Sequence, residues 1–238
     1  MTALGKITRA AGLFLWLLAM PATGETIVAG LSQNNVQITA NFTGSQILIY
    51  GAIKRETPIP PTSPLEVIVT VQGPSGPLVV RRKERRFGVW MNVDAVRISR
   101  APSFYAIAST GPLDQILSET ENLRHQVTIP RAIRAVGIAA DAENAPRFLE
   151  ALLRIRLNDG RYLQAEESVD LAEQTLFRAD VALPANLIEG NYRVRLFITR
   201  DGAVVDMHEQ VIRVHKAGLE RWIFALAHEQ PLIYGLLS

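Results

Sequence analysis

Hydrophobic and polar positions alternate along much of the chain, and this period of two is typical of β-strands that bury one face. The alternation is clearest in residues 36–42 and 191–199, while residues 65–71 form a strongly β-branched strand. Stretches rich in Pro and Gly, such as residues 57–64 and 73–77, predict connections, because proline cannot donate a ladder hydrogen bond. The pattern predicts a mainly β protein.

Further short strands, two hairpin turns and three helical regions are predicted from the same pattern. The additional strands are residues 46–50, 78–83, 87–93, 176–183 and 203–214. Residues 158–160 (Asn-Asp-Gly) and 200–202 (Arg-Asp-Gly) predict hairpin turns, because Asn, Asp and Gly tolerate the positive φ angles of a type I′ turn. Residues 102–108, 112–124 and 144–154 have helical composition, and apolar side chains in the last region recur at helical spacing.

The order of these elements predicts two immunoglobulin-like β-sandwich modules with short helices between them and a C-terminal helical segment. We place module 1 at residues 25–101, a helical connection at residues 102–157, and module 2 at residues 158–215. Residues 216–238 then form a juxtamembrane segment or the start of a C-terminal membrane helix. Short strands joined by turns at this spacing favour sandwiches.

Residues 1–24 predict a secretory signal peptide. Two basic residues and no acidic residue precede the apolar run of residues 10–20, which is too short to span a bilayer. Residues 22–24 (Ala-Thr-Gly) supply the small side chains of a cleavage site, so we expect cleavage before Glu25. The alternatives are an uncleaved N-terminal anchor and a buried core helix.

Charge and cysteine content exclude several classes of function. The whole chain carries 25 Lys and Arg against 23 Asp and Glu, and residues 1–24 hold two of the basic residues and none of the acidic ones. The remaining chain therefore has 23 of each, and its net charge gives no argument for a nucleic-acid partner. The absence of cysteine excludes disulfides, thiolate chemistry and attachment through an N-terminal lipidated Cys.

The C-terminal region has the composition of a segment at a membrane surface. The apolar run after Pro231 reaches the end of the sequence within seven residues, far fewer than the roughly twenty that a membrane-spanning helix needs. Trp222 and Tyr234 have the amphipathic side chains found at membrane interfaces, so we expect them to act as membrane-interface anchors.

A run of basic residues followed by a tryptophan is the strongest candidate for an interaction surface. Its members are Arg81, Arg82, Lys83, Arg85, Arg86 and Trp90. Guanidinium groups match the geometry of anionic groups, although successive residues of a strand point to opposite faces and would divide the cluster. The alternatives are a solvated hairpin tip whose charges prevent edge-to-edge pairing and, for Trp90, a place in the hydrophobic core.

No motif for catalysis, a cofactor or a metal is present in the sequence. The four histidines are dispersed, and neither a nucleophile elbow nor a phosphate-binding glycine loop occurs. We therefore predict no catalytic, cofactor-binding or metal-binding residues and no enzymatic activity. A hydrolase whose site assembles only in space stays open as an alternative.

Several segments resemble a family of uncharacterised putative transmembrane proteins from alphaproteobacteria. They are residues 82–92, 102–106, 183–186 and 190–192, and residues 231–236 resemble the entry into that family's C-terminal membrane helix. The resemblance implies a signal peptide, a periplasmic ectodomain and one C-terminal span. It also associates the chain with anion exporters of the inner membrane.

These observations predict a membrane-associated protein on the periplasmic face of the bacterial inner membrane. Its expected role is that of an interaction or accessory module for an inner-membrane protein such as an anion exporter, without a nucleic-acid partner or a cofactor. The alternatives are a soluble periplasmic chaperone-like protein and a small-anion binding protein.

Overall fold

The computed structural model describes six parts of the chain. They are residues 25–39, 42–55, 63–135, 145–216, 228–231 and 235. The signal peptide predicted for residues 1–24, the anchors predicted at Trp222 and Tyr234, and most of residues 216–238 lie outside the described residues.

The described residues form many strands and a few short helices, so the chain is mainly β, as the alternation predicts. The strands are β1 (Thr26–Leu31), β2 (Asn35–Ile38), β3 (Gly44–Lys54), β4 (Glu66–Gln72), β5 (Ser75–Arg86), β6 (Val89–Pro102), β7 (Tyr105–Ser109), β8 (Arg134–Ala135), β9 (Tyr162–Ala165), β10 (Val169–Ala172), β11 (Leu176–Pro184), β12 (Gly190–Arg200) and β13 (Ala203–Lys216). The helices are α1 (Leu113–Ile116), α2 (Glu119–His125), α3 (Ile129–Ala132) and α4 (Ala145–Asn158).

The strands form three sheets. Sheet 1 has four antiparallel strands in the order β1-β3-β11-β10. Sheet 2 has the order β2-β13-β12-β4-β7-β9, in which the two edge strands β2 and β9 pair in parallel and the central strands pair antiparallel. Sheet 3 has the order β5-β6-β8.

Sheets 1 and 2 pack face to face around the larger hydrophobic core. In sheet 1 every second residue of β3 and β11 is buried, including Ile47, Ile49 and Val181. Val69 of β4 and Leu196 of β12 meet them from sheet 2 and are fully buried. The two layers therefore make a β-sandwich.

A second core covers the opposite face of sheet 2. Ile68, Tyr105 and Phe197 point into it and pack with Leu152 of α4 and with side chains of the short helices α1 to α3. Strand β4 is thus buried on both faces, which explains why its sequence is an apolar run rather than an alternation.

The two predicted modules do not exist as separate sandwiches. Strand β11, which belongs to predicted module 2, pairs with β3 of predicted module 1, and β12 pairs with β4 in the same way. Strands from both halves of the chain therefore share sheets 1 and 2 and one core. The division was wrong because local periodicity predicts a strand but not its partner, and these partners lie far apart in sequence. The immunoglobulin-like character of the sandwich stays a prediction.

The predicted helical connection contains a central strand. Residues 105–109 form β7, whose residues are all buried between β4 and β9, so the helix predicted for residues 102–108 is wrong. Two backbone partners and burial on both faces outweigh a weak local preference for helix. The helices predicted at residues 112–124 and 144–154 are confirmed as α1 with α2 and as α4.

Gly160 ends helix α4 instead of forming the predicted hairpin turn. It has a positive φ of 65°, its N–H donates to the carbonyl of Leu157 at 3.1 Å, and Arg161 N–H donates to the carbonyl of Arg156 at 2.9 Å. This pair of hydrogen bonds is a Schellman motif. The prediction failed because a left-handed glycine serves helix ends and hairpins equally well.

The hairpin turn predicted at residues 200–202 is confirmed. Asp201 and Gly202 have φ angles of 50° and 77° and connect β12 to β13. The carbonyl of Gly202 also accepts from the N–H of Ser118 at 2.8 Å, so the turn fixes the start of helix α2.

The start of β1 is held against sheet 2 by charged groups. The carboxylate of Glu25 is buried, accepts a hydrogen bond from Arg200 Nη2 at 2.8 Å, and lies 4.0 Å from Arg55 Nε. In β13, the carboxylate of Asp206 accepts from the N–H of Ile27 at 2.8 Å. These contacts attach β1, an edge strand of sheet 1, to strands β12 and β13 of sheet 2.

Candidate interaction site

The β5–β6 hairpin carries the most exposed surface of the protein. We call residues 81–92 the arm, and every one of them is exposed. Nearer the root of the hairpin, Val96 and Ile98 are buried, and Ile98 belongs to the second core. The hairpin is therefore anchored at its root and projects from the body of the fold at its tip.

A two-residue turn forms the tip of the arm. Phe87 and Gly88 have positive φ angles of 50° and 82° and connect Arg86 to its cross-strand partner Val89. This is the backbone of a type I′ hairpin turn, in which a bulky residue is uncommon. Strand β6 therefore starts at Val89, two residues later than the sequence predicts, and the Phe87 ring is completely exposed.

The register of the hairpin sorts the arm into two faces. Opposed residues of an antiparallel pair share a face, and Arg85 is opposed to Trp90 while Lys83 is opposed to Asn92. The other face joins Arg86 to Val89 and Glu84 to Met91. The predicted division of the basic cluster between two faces is therefore confirmed.

Trp90 lies on the surface, and the alternative that it fills the core is wrong. Its side chain is 66% exposed, because none of the described elements covers the hairpin at this distance from the body. Phe87, Val89 and Met91 are also exposed, so the tip combines four apolar side chains with the basic residues. Exposed apolar side chains gathered at one tip in this way are typical of interaction sites.

Only some of the basic side chains of the arm form hydrogen bonds or salt bridges within it. Arg86 donates to the carboxylate of Glu84 at 3.2 Å, and Arg85 Nε donates to the carbonyl of Gly88 at 3.3 Å. Arg81, Arg82 and Lys83 have no salt bridge to a described residue. The arm therefore presents net positive charge next to its aromatic tip.

A half-buried arginine that the sequence analysis missed, Arg195, makes several contacts on sheet 2. Arg195 donates to the carbonyl of His125 at 2.6 Å and to the hydroxyl of Tyr105 at 3.1 Å, and its guanidinium lies 5.2 Å from the centre of the Phe197 ring. Burial raises the pKa of Tyr105, while the neighbouring Arg195 acts in the opposite direction. Arg195 thus caps the C-terminal end of α2, and only its alternation with apolar neighbours could have indicated an inward position.

His125 and His208 each make a local polar contact. His125 lies 3.2 Å from the carboxylate of Glu121, and the ring of His208 lies 3.1 Å from the amide nitrogen of Gln210. Among the described residues, no three His, Asp or Glu side chains converge as metal ligands. The predicted lack of a metal site and of enzymatic activity stays a prediction.

Among the described helices, none has both the length and the apolar character to cross a membrane. The candidate site is the arm, which contains all six residues singled out in the sequence and ends in a tip whose shape the sequence did not predict. Strand β5 carries the basic residues Arg81, Arg82, Lys83, Arg85 and Arg86, and strand β6 carries Trp90.

Comparison with known proteins gives one kind of match. Residues 26–238 match the profile of a family described as Putative transmembrane protein (Alph_Pro_TM). No curated protein and no solved structure matches the chain. The matched region includes all the described strands and helices, so the arm lies inside the part of the chain that defines the match.

Proposed function

The chain belongs to this family of putative transmembrane proteins, and we propose that it is a membrane-associated interaction module on the periplasmic face of the bacterial inner membrane. In this proposal, residues 1–24 direct export and are removed before Glu25. Residues 216–238 hold the module at the membrane, with Trp222 and Tyr234 at the interface. The family description supports the association with a membrane.

The observation that carries the proposal is the exposed arm. Its tip joins Phe87 and Trp90 to arginines, and tryptophan and arginine are the side chains most enriched among residues that dominate protein interfaces. Exposed side chains at the end of a hairpin contribute little to folding. An exposed tryptophan and phenylalanine at this position are therefore better explained by binding than by stability.

The partner that we propose is an integral protein of the inner membrane, such as an anion exporter. The face of the arm that carries Arg81, Lys83 and Arg85 also carries Trp90. A complementary surface would offer acidic groups around an apolar pocket, because opposite charges steer association and a buried aromatic anchor supplies affinity.

A soluble chaperone-like role is the main alternative, and it would use strand addition at an open sheet edge. Strand β5 is an edge strand of sheet 3, but its outer half is densely charged. Charged side chains on an edge oppose pairing with another strand. The arm therefore favours recognition by side chains over strand addition.

The proposal is tested by co-purification from gently solubilised membranes. The full-length protein carries an affinity tag inserted between Glu166 and Glu167, in an exposed turn far along the chain from the arm. The test variant combines Phe87→Asn with Trp90→Ser, and asparagine is chosen because it tolerates the positive φ at position 87. We expect the tagged protein to retain one integral membrane protein and the variant to lose it.

The control removes apolar surface elsewhere. Leu176→Asn with Ile188→Asn replaces two side chains that are about as exposed as Trp90 but lie outside the arm. This variant should keep the partner. Equal recovery of the membrane protein by the arm variant, or recovery of the wild-type protein alone from the soluble fraction, would refute the proposed function.

A further inference from the structure

A cavity of about 300 Å³ lies between strand β5 and helix α4, beside the root of the arm. Strand β5 contributes four consecutive residues to its wall, and α4 contributes five residues from one stripe. The lining residues are Val80, Arg81, Arg82, Lys83, Arg147, Phe148, Ala151, Arg154 and Ile155.

The wall of this cavity is strongly and uniformly basic. Five of the nine lining residues carry a positive charge and none carries a negative charge. None of these five cations forms a salt bridge with a described carboxylate. Such a concentration of unpaired positive charge in a concave site attracts an anion, because the surrounding low-dielectric wall strengthens the field.

Helix α4 and strand β5 both place basic residues at the cavity. Arg147 and Arg154 are seven residues apart on α4, which places them about 10 Å apart along the helix axis on one face. Arg81 and Lys83 come from the facing strand. The first turn of α4 holds no acidic residue, so the positive end of the helix dipole adds to the field.

The remaining wall is apolar. Phe148 is buried, and Ile155 is 49% exposed. Val80 and Ala151 complete this side. An apolar surface next to a basic one distinguishes this cavity from a site for a simple inorganic anion.

We propose that the cavity binds a small amphipathic anion, with a phosphate or sulfonate group held by the arginines and an apolar group against Phe148 and Ile155. Guanidinium groups bind such oxyanions through paired hydrogen bonds. A volume of about 300 Å³ is at the lower end of the range that small-molecule sites usually have.

This site is separate from the proposed contact of the arm tip with a membrane protein. Phe87 and Trp90 do not line the cavity, and Arg147, Arg154 and Phe148 lie on α4 rather than on the arm. Because Arg81, Arg82 and Lys83 belong both to the cavity wall and to the arm, the two proposals are separated by variants of the tip, which leave the cavity wall unchanged. The variant Phe87→Asn with Trp90→Ser should bind the small anion like the wild-type protein.

Calorimetric titration with phenyl phosphate tests the site. Inorganic phosphate supplies the charge without the ring, and benzyl alcohol supplies the ring without the charge. We expect saturable binding of phenyl phosphate that is at least tenfold tighter than that of either control compound. Arg81→Gln with Arg147→Gln should weaken it at least tenfold, whereas the charge-matched control Lys54→Gln with Arg178→Gln should not.

A second variant makes the test independent of the arginines. Ile155→Glu introduces a carboxylate at an exposed position of the cavity wall, so the protein should fold and lose phenyl phosphate binding. Absence of saturable binding to the wild-type protein, or equal binding by Ile155→Glu, would overturn the proposal. Binding of anionic phospholipid vesicles that phenyl phosphate displaces would support it and identify the natural source of the anion as a lipid head group. Saturable binding of phenyl phosphate without any vesicle binding would support a soluble ligand.

Discussion

Arg85 and Trp90 are directly opposed across the β5–β6 hairpin, one residue pair away from the pair that closes the turn. Their side chains therefore share one face of the arm. A guanidinium and an indole therefore lie on the same face at the end of a projecting hairpin. Such a pair is suited to recognition, because both side chains can bury apolar area in a partner and still form hydrogen bonds with it.

The tip of the arm should contribute almost nothing to stability. We expect Phe87→Asn with Trp90→Ser to change the free energy of unfolding by less than about 0.5 kcal/mol, as is usual for exposed positions. Urea unfolding followed by far-UV circular dichroism measures this. A loss of 2 kcal/mol or more, on the order of a core substitution, would mean that the tip packs against the body.

The body should unfold as one cooperative unit, because strands from both halves of the chain share the same sheets. Leu196 is fully buried on β12 and faces the core that β3 and β4 also line. Leu196→Ala should lower the free energy of unfolding by about 2–5 kcal/mol. Hydrogen exchange should then increase in β4 as well as in β12, and an increase confined to residues 158–215 would restore the two-module division.

Gly51 should tolerate no side chain, whereas Gly76 should. A Cβ atom at Gly51 would lie 2.5 Å from the carbonyl oxygen of Val28 and 2.6 Å from Cζ of Phe177, while a Cβ at Gly76 would meet nothing within 4 Å. Gly51→Ala should therefore cost about 1–3 kcal/mol through overpacking between β1 and β3. Thermal unfolding of the two alanine variants compares them, and equal melting temperatures would contradict the close approach of β1.

Stability should fall in alkaline solution because a buried tyrosine resists ionisation. Burial raises the pKa of Tyr162 to about 12, and its hydroxyl donates to the carbonyl of Pro102 at 2.9 Å. The unfolded chain, with a tyrosine pKa near 10, loses its proton first, so stability is complete below pH ~10 and decreases as the pH rises toward 12. For Tyr162, the free energy of unfolding decreases by up to about 1.4 kcal/mol per pH unit.

The matched variant for this effect is Tyr162→Phe, which keeps the ring and removes the ionisable group. Burial also raises the pKa of Tyr105 and Tyr192, so the variant should reduce the alkaline loss of stability without abolishing it. Urea unfolding at pH 9 and pH 11 makes the comparison. An identical loss in the variant and the wild-type protein would show that Tyr162 is not protected from ionisation.

Individual strands were predictable from the sequence, and their arrangement was not. The alternation that starts at residue 191 predicts β12, because the exposed Asn191 and Arg193 alternate with the buried Tyr192 and Val194. Nothing local in that pattern indicates that β12 lies between β4 and β13. Strand β7 was missed for a related reason, since a strand buried on both faces loses the alternation that identifies it.

The candidate site was predictable in composition but not in shape. The basic run from Arg81 to Arg86 stands out in the sequence, and its division between two faces follows from the period of a strand. The exposure of Trp90 depends on how far the hairpin extends beyond the body, which is a tertiary property. Arg147 and Arg154 gave no sequence signal as partners of Arg81, because the packing of α4 beside β5 brings them together.

The most direct test of the central claim is site-specific photo-crosslinking in intact cells. A photoreactive phenylalanine analogue replaces Phe87 at the tip of the arm or, as a control, Leu176, which is exposed on sheet 1. The account predicts that position 87 crosslinks to one integral protein of the inner membrane and that position 176 does not. Absence of a protein crosslink at position 87, or the same product from both positions, would contradict the assignment of the arm as the interaction site.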